Sequence, residues 1–183
     1  MRDTFERIVY QRRTFKDYSG KAIAKSDLEK LLEWASRAPN HYLNQPWRFV
    51  ALEQTAVNRL IQHLNESMPE NDRKSCAKIF DRMSKVGAII FVGVLSDSNA
   101  QIHEENFSAA CAAVQNILLG AAAMDLGSYW STNRAMTHDQ TRNFLGWREN
   151  TIRFVAGIWL GEPASVPELS ARKPLSEVCQ FLC

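Results

Sequence analysis

The sequence predicts an α+β fold, with a small central mixed sheet flanked by helices and one long buried helix at its centre. Three observations carry this. Ala88–Leu95 (AIIFVGVL) is a continuous apolar run, as expected of a central strand covered on both faces. Residues 104–125 are apolar nearly all round and too long for a strand, so they read as a helix buried on every side, either centrally or against a second subunit. Around these two, helical and strand patterns follow in the order helix, helix, strand, helix, strand, long helix, strand, strand.

Each element has its own signal. Residues 3–11 place Phe5, Ile8 and Val9 along a short amphipathic helix that delivers Arg12 and Arg13 at its end. Ser26-Asp27-Leu28-Glu29 has the form of a capping box. The helix it opens turns Leu28, Leu31, Leu32 and Ala35 inward, and Pro39 prevents its continuation. A strand is expected at 47–52, then a helix at 55–65 with Val57, Leu60, Ile61 and Leu64 on one stripe. Residues 66–85 are charged and weakly patterned, which predicts a mobile, partly helical connection of the kind that covers an active site. The long helix ends at Leu126-Gly127, strands follow at 128–131 and 152–160, and Thr137 to Gln140 offers a second capping box between them.

A chain of 183 residues fits one domain, 1–183, with residues 163–183 as a C-terminal extended arm. Net charge is only +2, with basic and acidic residues interspersed, so no nucleic-acid footprint is present. The N-terminus is charged and lacks an apolar signal core. The segment 107–126 is mainly Ala and carries Ser108, Gln115, Asn116 and Asp125, unlike a membrane span. A cytoplasmic location without a membrane partner is therefore expected. Free thiols are then the default for Cys76, Cys111, Cys179 and Cys183, although the last two would share a face of a helical tail.

Several chemistries can be set aside. No G-x-G-x-x-G, P-loop or G-x-S-x-G motif occurs. The four histidines have no metal-cage spacing, so no metal is expected. Glu104 and Glu105, being adjacent, diverge by about 100° on a helix and make a poor carboxylate pair. What remains is a site of cations, amides and aromatics. Arg12-Arg13-Thr14 suits a phosphate, because guanidinium is a planar fork of donors that stays charged; two arginines ending a helix would also serve its dipole. Arg37-Ala38-Pro39-Asn40-His41, followed by Asn44-Gln45-Pro46-Trp47, is an ordered turn dense in donors. Such an inventory fits a large flat anionic cofactor that brings its own reactivity.

In order, the R-R-T entry, the R-A-P-N-H turn with its Q-P-W, the Ala-rich helix leading to L-G-S-Y-W, the strand G-I-W-L-G-E-P and the late R-K-P-L resemble the nitroreductase family, most closely its compact branch. The resemblance implies the nitroreductase-like fold and FMN as cofactor. It assigns Arg12 and Thr14 to the phosphate, Arg13 to a flavin contact beyond it, and Arg172 to a basic residue closing on the same phosphate. It assigns Arg37, Pro39, Asn40 and His41 to the turn against FMN, and Trp130, Ser131 and Thr132 to the segment running past the ring. Gly120 falls where nicotinamide contact is inferred in relatives. Larger members place Asn-Ser before Gln-Pro-Trp; here Leu43-Asn44 stands there, and His41 or Asn44 would substitute.

The activity implied is an FMN-dependent oxidoreductase. Hydride would pass from NAD(P)H through flavin N5 to a nitroaromatic, quinone or similar acceptor, by a ping-pong mechanism and with no protein nucleophile. An FMN store or sensor, or an enzyme of the same fold with different flavin chemistry, is the alternative. The resemblance also implies a homodimer packed through the long helix with both subunits at each flavin, which would put Ala113 and Leu118 at the contact.

Overall fold

The computed structural model describes residues 1–148 and 150–182. Its chain order is α1 (Arg2–Gln11), α2 (Lys25–Ala35), β1 (Trp47–Glu53), α3 (Gln54–Ser67), α4 (Glu70–Met83), β2 (Ala88–Leu95), α5 (Ala100–Ala123), β3 (Gly127–Ser131), α6 (Arg134–Thr137), α7 (Asp139–Phe144) and β4 (Ile152–Gly161), with short 3-10 turns at His41–Leu43 and Leu175–Glu177. The strands form one sheet in the order β1-β2-β4-β3. All three strand pairs are antiparallel, and the one parallel pairing among the described residues is the Thr14–Ser128 bridge at the β3 edge. The expected mixed sheet thus reduces to that single bridge.

Period-two alternation on β2 divides the core. Ala88, Ile90, Val92 and Val94 face α2 and α5, while Ile89 and Phe91 face α3, α4 and the α6–α7 region. On β4 the register shifts between Val92 and Gly93 of its neighbour, leaving Val155 unpaired. This bulge is why Val155 and Ala156, though consecutive, both enter the α2–α5 core.

The helix faces follow the sequence. Leu28, Leu31 and Ala35 are buried on α2, and Val57, Leu60 and Leu64 on α3. The caps do not. Helix α2 begins one residue before Ser26, with extended Ala24 as its N-cap, and no capping-box bond forms. Asn133 caps α6 and the His138 side chain caps α7, in place of Thr137. Residues 70–83 are not a loose connection. Helix α4 buries Cys76, Phe80 and Met83 in the second core, and its Asp72 pairs with Arg134 and lies 3.3 Å from His138 Nε2.

Helix α5 starts earlier than expected, because the Asn99 side chain accepts from the N–H groups of Gln101 and Ile102 at 2.9 and 3.3 Å. It is long and apolar enough to cross a membrane by length and composition, but half of its apolar window is buried within this chain. Ala113 (0% exposed) and Leu118 (5%) belong to the chain's own core, so they are not the free face of α5. That face carries exposed Ser108 and Gln115 and half-buried Leu119, with Cys111 and Ala112 at its border against the core. Helix α1 buries no residue and leaves Phe5, Val9 and Tyr10 exposed. The tail is extended apart from its 3-10 turn, so no helical face gathers Cys179; Cys183, named with it above, lies outside the described residues.

Candidate functional site

The first cluster forms where α1 meets the returning tail. Arg12 closes α1 with a non-helical conformation (φ −57°, ψ 126°). Thr14 then bridges to Ser128, and Phe15 N–H donates to the Ser128 carbonyl at 3.0 Å, which pins the segment to the β3 edge. The tail runs back past it, with Ser19 N–H on the Glu162 carbonyl and Ala164 N–H on the Asp17 carbonyl. Arg13 Nη1 donates to the Pro167 carbonyl at 2.6 Å. Between these strands of chain and α5 lies a groove of about 560 Å³ lined by Arg12, Arg13, Thr14, Gln115, Leu119, Pro167 and Arg172, with Glu168 at its side. Among the described residues none of its three guanidiniums pairs with a carboxylate, and Arg13 Nε is buried without a partner. A buried orphan donor is costly unless a ligand supplies the acceptor. The groove therefore fits a phosphate-bearing anion.

The second cluster is the turn after α2. Asn40 Oδ1 accepts from Gln45 N–H at 2.9 Å, and Asn44 Nδ2 donates to buried Asn106 Oδ1 at 2.8 Å. His41 Nδ1 pairs closely with Glu105, whose other oxygen accepts from Gln101 Nε2 at 2.9 Å. These bonds, the His41 contact first, hold the Glu105 carboxyl below its ordinary pKa. Glu104 points elsewhere, to Arg153 Nη1 at 3.1 Å, so the two adjacent glutamates do diverge. Arg37 and Pro39 are exposed, and Arg37 lines a separate, largely apolar groove with Phe5, Ile8, Trp34 and Leu119.

The remaining candidates are more constrained. Gly120 is buried at the α2–α5 crossing, where a Cβ would lie 2.6 Å from Trp34 Cε3 and 2.9 Å from Leu31 Cδ2. Packing by itself accounts for glycine there. Ser131 is buried and its hydroxyl accepts from Asn133 Nδ2 at 2.7 Å; Trp130 packs on the first core, and Thr132 is exposed. Among the described residues no cluster of His, Cys, Asp or Glu could hold a metal ion.

One chain does not bring the two main clusters together. The turn is tied to Glu105 and Asn106, whereas the groove meets α5 at Gln115 and Leu119. Nine to fourteen helical residues separate these positions, about 14–21 Å along the axis. Glu105, Asn106, Gln115 and Pro167 were not expected at the site. Only their proximity in space identifies them, since none belongs to a motif.

An α+β domain with an antiparallel sheet, a central helix and an arginine-lined groove is the class these features define. The nitroreductase family matches residues 9–161, and the chain belongs to that family. Among curated relatives, the Bacillus subtilis protein provisionally named NAD(P)H nitroreductase YfhC is 23% identical over 93% of this chain and 90% of its own length. Among solved structures, a nitroreductase-like family protein from Bacillus cereus superposes with a TM-score of 0.88 at 27% identity, covering 97% of this chain and 95% of that one. A provisionally assigned nitroreductase from Desulfovibrio desulfuricans, solved in complex with FMN, shares the fold with a TM-score of 0.75 at 24% identity over 98% and 96% of the two chains.

Proposed function

We propose that the chain is an FMN-dependent NAD(P)H oxidoreductase acting as a cytoplasmic homodimer. The observation that carries this reading is the groove in which, among the described residues, Arg12, Arg13 and Arg172 stand without carboxylate partners and Arg13 Nε is buried and unpaired. The relatives' nitroreductase names and the FMN complex of a structural neighbour support it.

FMN, when bound, carries hydride from NAD(P)H through its N5 to an electron-poor acceptor such as a nitroaromatic or quinone. The protein's part is binding and electrostatics. Arg12, Thr14 and Arg172 would hold the phosphate, with Arg13 beside it, fixed by its bond to the tail. Pro39, Asn40 and His41 supply the rigid edge for the flavin, with Glu105 keeping the imidazole in one orientation. Asn44 Nδ2 is engaged by Asn106 and His41 Nδ1 by Glu105, but His41 Nε2 has no partner among the described residues, which makes His41 the fitting substitute for the missing Asn-Ser contact.

Two features support a second copy. The outer face of α5 carries exposed Ser108 and Gln115 and half-buried Leu119, and α1 exposes its apolar side, so both lack cover. In addition, one chain presents the turn and the groove at separate places along α5. A two-fold pair with antiparallel α5 helices would set the Glu105 end of one helix beside the Leu119 end of the other, and so bring the turn of one subunit to the groove of its partner.

The test is an absorbance spectrum of the purified protein, followed by anaerobic titration with NADH and with NADPH. Bound flavin bleached within seconds by one of them is expected. Bound flavin that neither reduces would assign the protein to storage or sensing, and colourless protein that cannot be loaded with FMN would refute the reading. Donor and acceptor sharing one flavin face predicts parallel double-reciprocal lines, and intersecting lines would contradict a shared site.

A further inference from the structure

The turn at His41–Leu43 is strained in a way its own packing does not repay. Tyr42, Leu43 and Gln45 all take left-handed backbone conformations, with φ of 50°, 54° and 45°. A bulky non-glycine residue there is an outlier, and such strain persists only where surrounding contacts impose it. Here Glu105 holds His41, Asn106 holds Asn44, Asn40 holds Gln45, and Pro39 and Pro46 fix both ends. The strain does not serve burial: Tyr42 is 91% exposed and Leu43 79%. Two large apolar side chains are thus clamped outward. The Tyr42 ring stacks on the His41 imidazole, with centroids 4.1 Å apart and planes inclined by 16°. Nearby Arg48 is turned back onto the carbonyls of Gln45 and Trp47, at 3.3 and 2.7 Å.

We propose that Tyr42 and Leu43 form the wall that selects the oxidant, an electron-rich phenol face and an apolar edge on which a planar, electron-poor aromatic acceptor stacks. This rests on the flavin reading above, which places His41 against the cofactor and so Tyr42 one ring further out. The quadrupole of a phenol face complements an electron-poor ring, and Arg48, the cation beside Gln45, is turned back onto main-chain carbonyls.

The test uses the FMN-loaded, fully oxidised protein, in which no turnover can occur, titrated with 4-nitrobenzamide by calorimetry. Tyr42→Ala should raise the Kd by about tenfold, whereas Tyr42→Phe, which keeps the ring, should change it by less than about threefold. Leu43→Gly should also weaken binding but melt no lower than wild type, because glycine takes a positive φ without strain. FMN content and dimer mass should match wild type in all three variants. An unchanged Kd in flavin-loaded Tyr42→Ala overturns the proposal alone. Loss of the dimer or of FMN in that variant overturns it too, by assigning Tyr42 to the subunit contact. Wild-type protein that holds no FMN would instead sink the flavin reading first, and this one with it.

Discussion

Arg12→Ala should remove much of the grip on FMN while leaving the chain folded. The Arg12 guanidinium is half-buried in the groove and makes no side-chain hydrogen bond or ion pair among the described residues. Its backbone N–H closes α1 on the Ile8 carbonyl at 3.0 Å, a bond that alanine retains. Truncation therefore removes only stem packing from the free protein, and stability should change by less than about 0.5 kcal/mol. A guanidinium–phosphate contact is charge-assisted, and two such bonds at a half-exposed site correspond to about 2–3 kcal/mol, so the Kd should rise by about 30- to 150-fold. Quenching of flavin fluorescence on adding apo-protein, at fixed ionic strength, measures this directly. Arg12→Lys should restore charge but not the fork, giving an intermediate Kd. An unchanged Kd in Arg12→Ala would falsify the phosphate assignment, and a large drop in melting temperature would show that Arg12 supports the fold instead.

Gly120→Ala brings a methyl to within 2.6 Å of Trp34, and the clash should outweigh the better helix propensity, destabilising by about 1 kcal/mol and lowering Tm by about 2–4 °C; a variant that melts higher would refute the close crossing. Ser108→Arg, on the exposed face of α5, should give folded monomers by sedimentation with flavin affinity reduced, whereas a dimer that persists would place the interface elsewhere. Tyr18 is buried and donates to the Phe15 and Trp159 carbonyls at 2.9 and 3.4 Å, and burial first, then the charges of Tyr129 and Asp17, push its pKa far above the ordinary tyrosine value. The folded state thus keeps a proton that the unfolded state releases above about pH 10. Stability should be unaffected by Tyr18 below that pH and fall above it, and urea denaturation should show the alkaline loss flattened in Tyr18→Phe.

Local order was legible wherever side-chain periodicity carries it. The inward sets of α2 and α3 and the fully apolar β2 were readable because residues three or four apart on a helix, or alternate residues on a strand, share a face whatever the surroundings. Helix α4 had the same signal, with Cys76, Phe80 and Met83 at helical spacing, but its many charges concealed it. Caps were misplaced because Ala24, Ser26, Thr137 and His138 all stand near helix starts, and which one leaves helical geometry depends on how the chain enters from elsewhere.

At the site the sequence by itself determined the inventory: adjacent arginines ahead of a threonine, a donor-rich turn between prolines, and a late arginine. Tertiary structure decided the grouping. The tail had to return past Asp17 and Ser19 before Pro167 could hold Arg13, and α5 had to pass both clusters before Glu105 could reach His41 while Gln115 lined the groove. These contacts join residues 64 and 154 positions apart, so no periodicity between neighbours encodes them. They follow from how the sheet and one long helix place distant segments, and the same placement keeps the turn and the groove of a single chain apart.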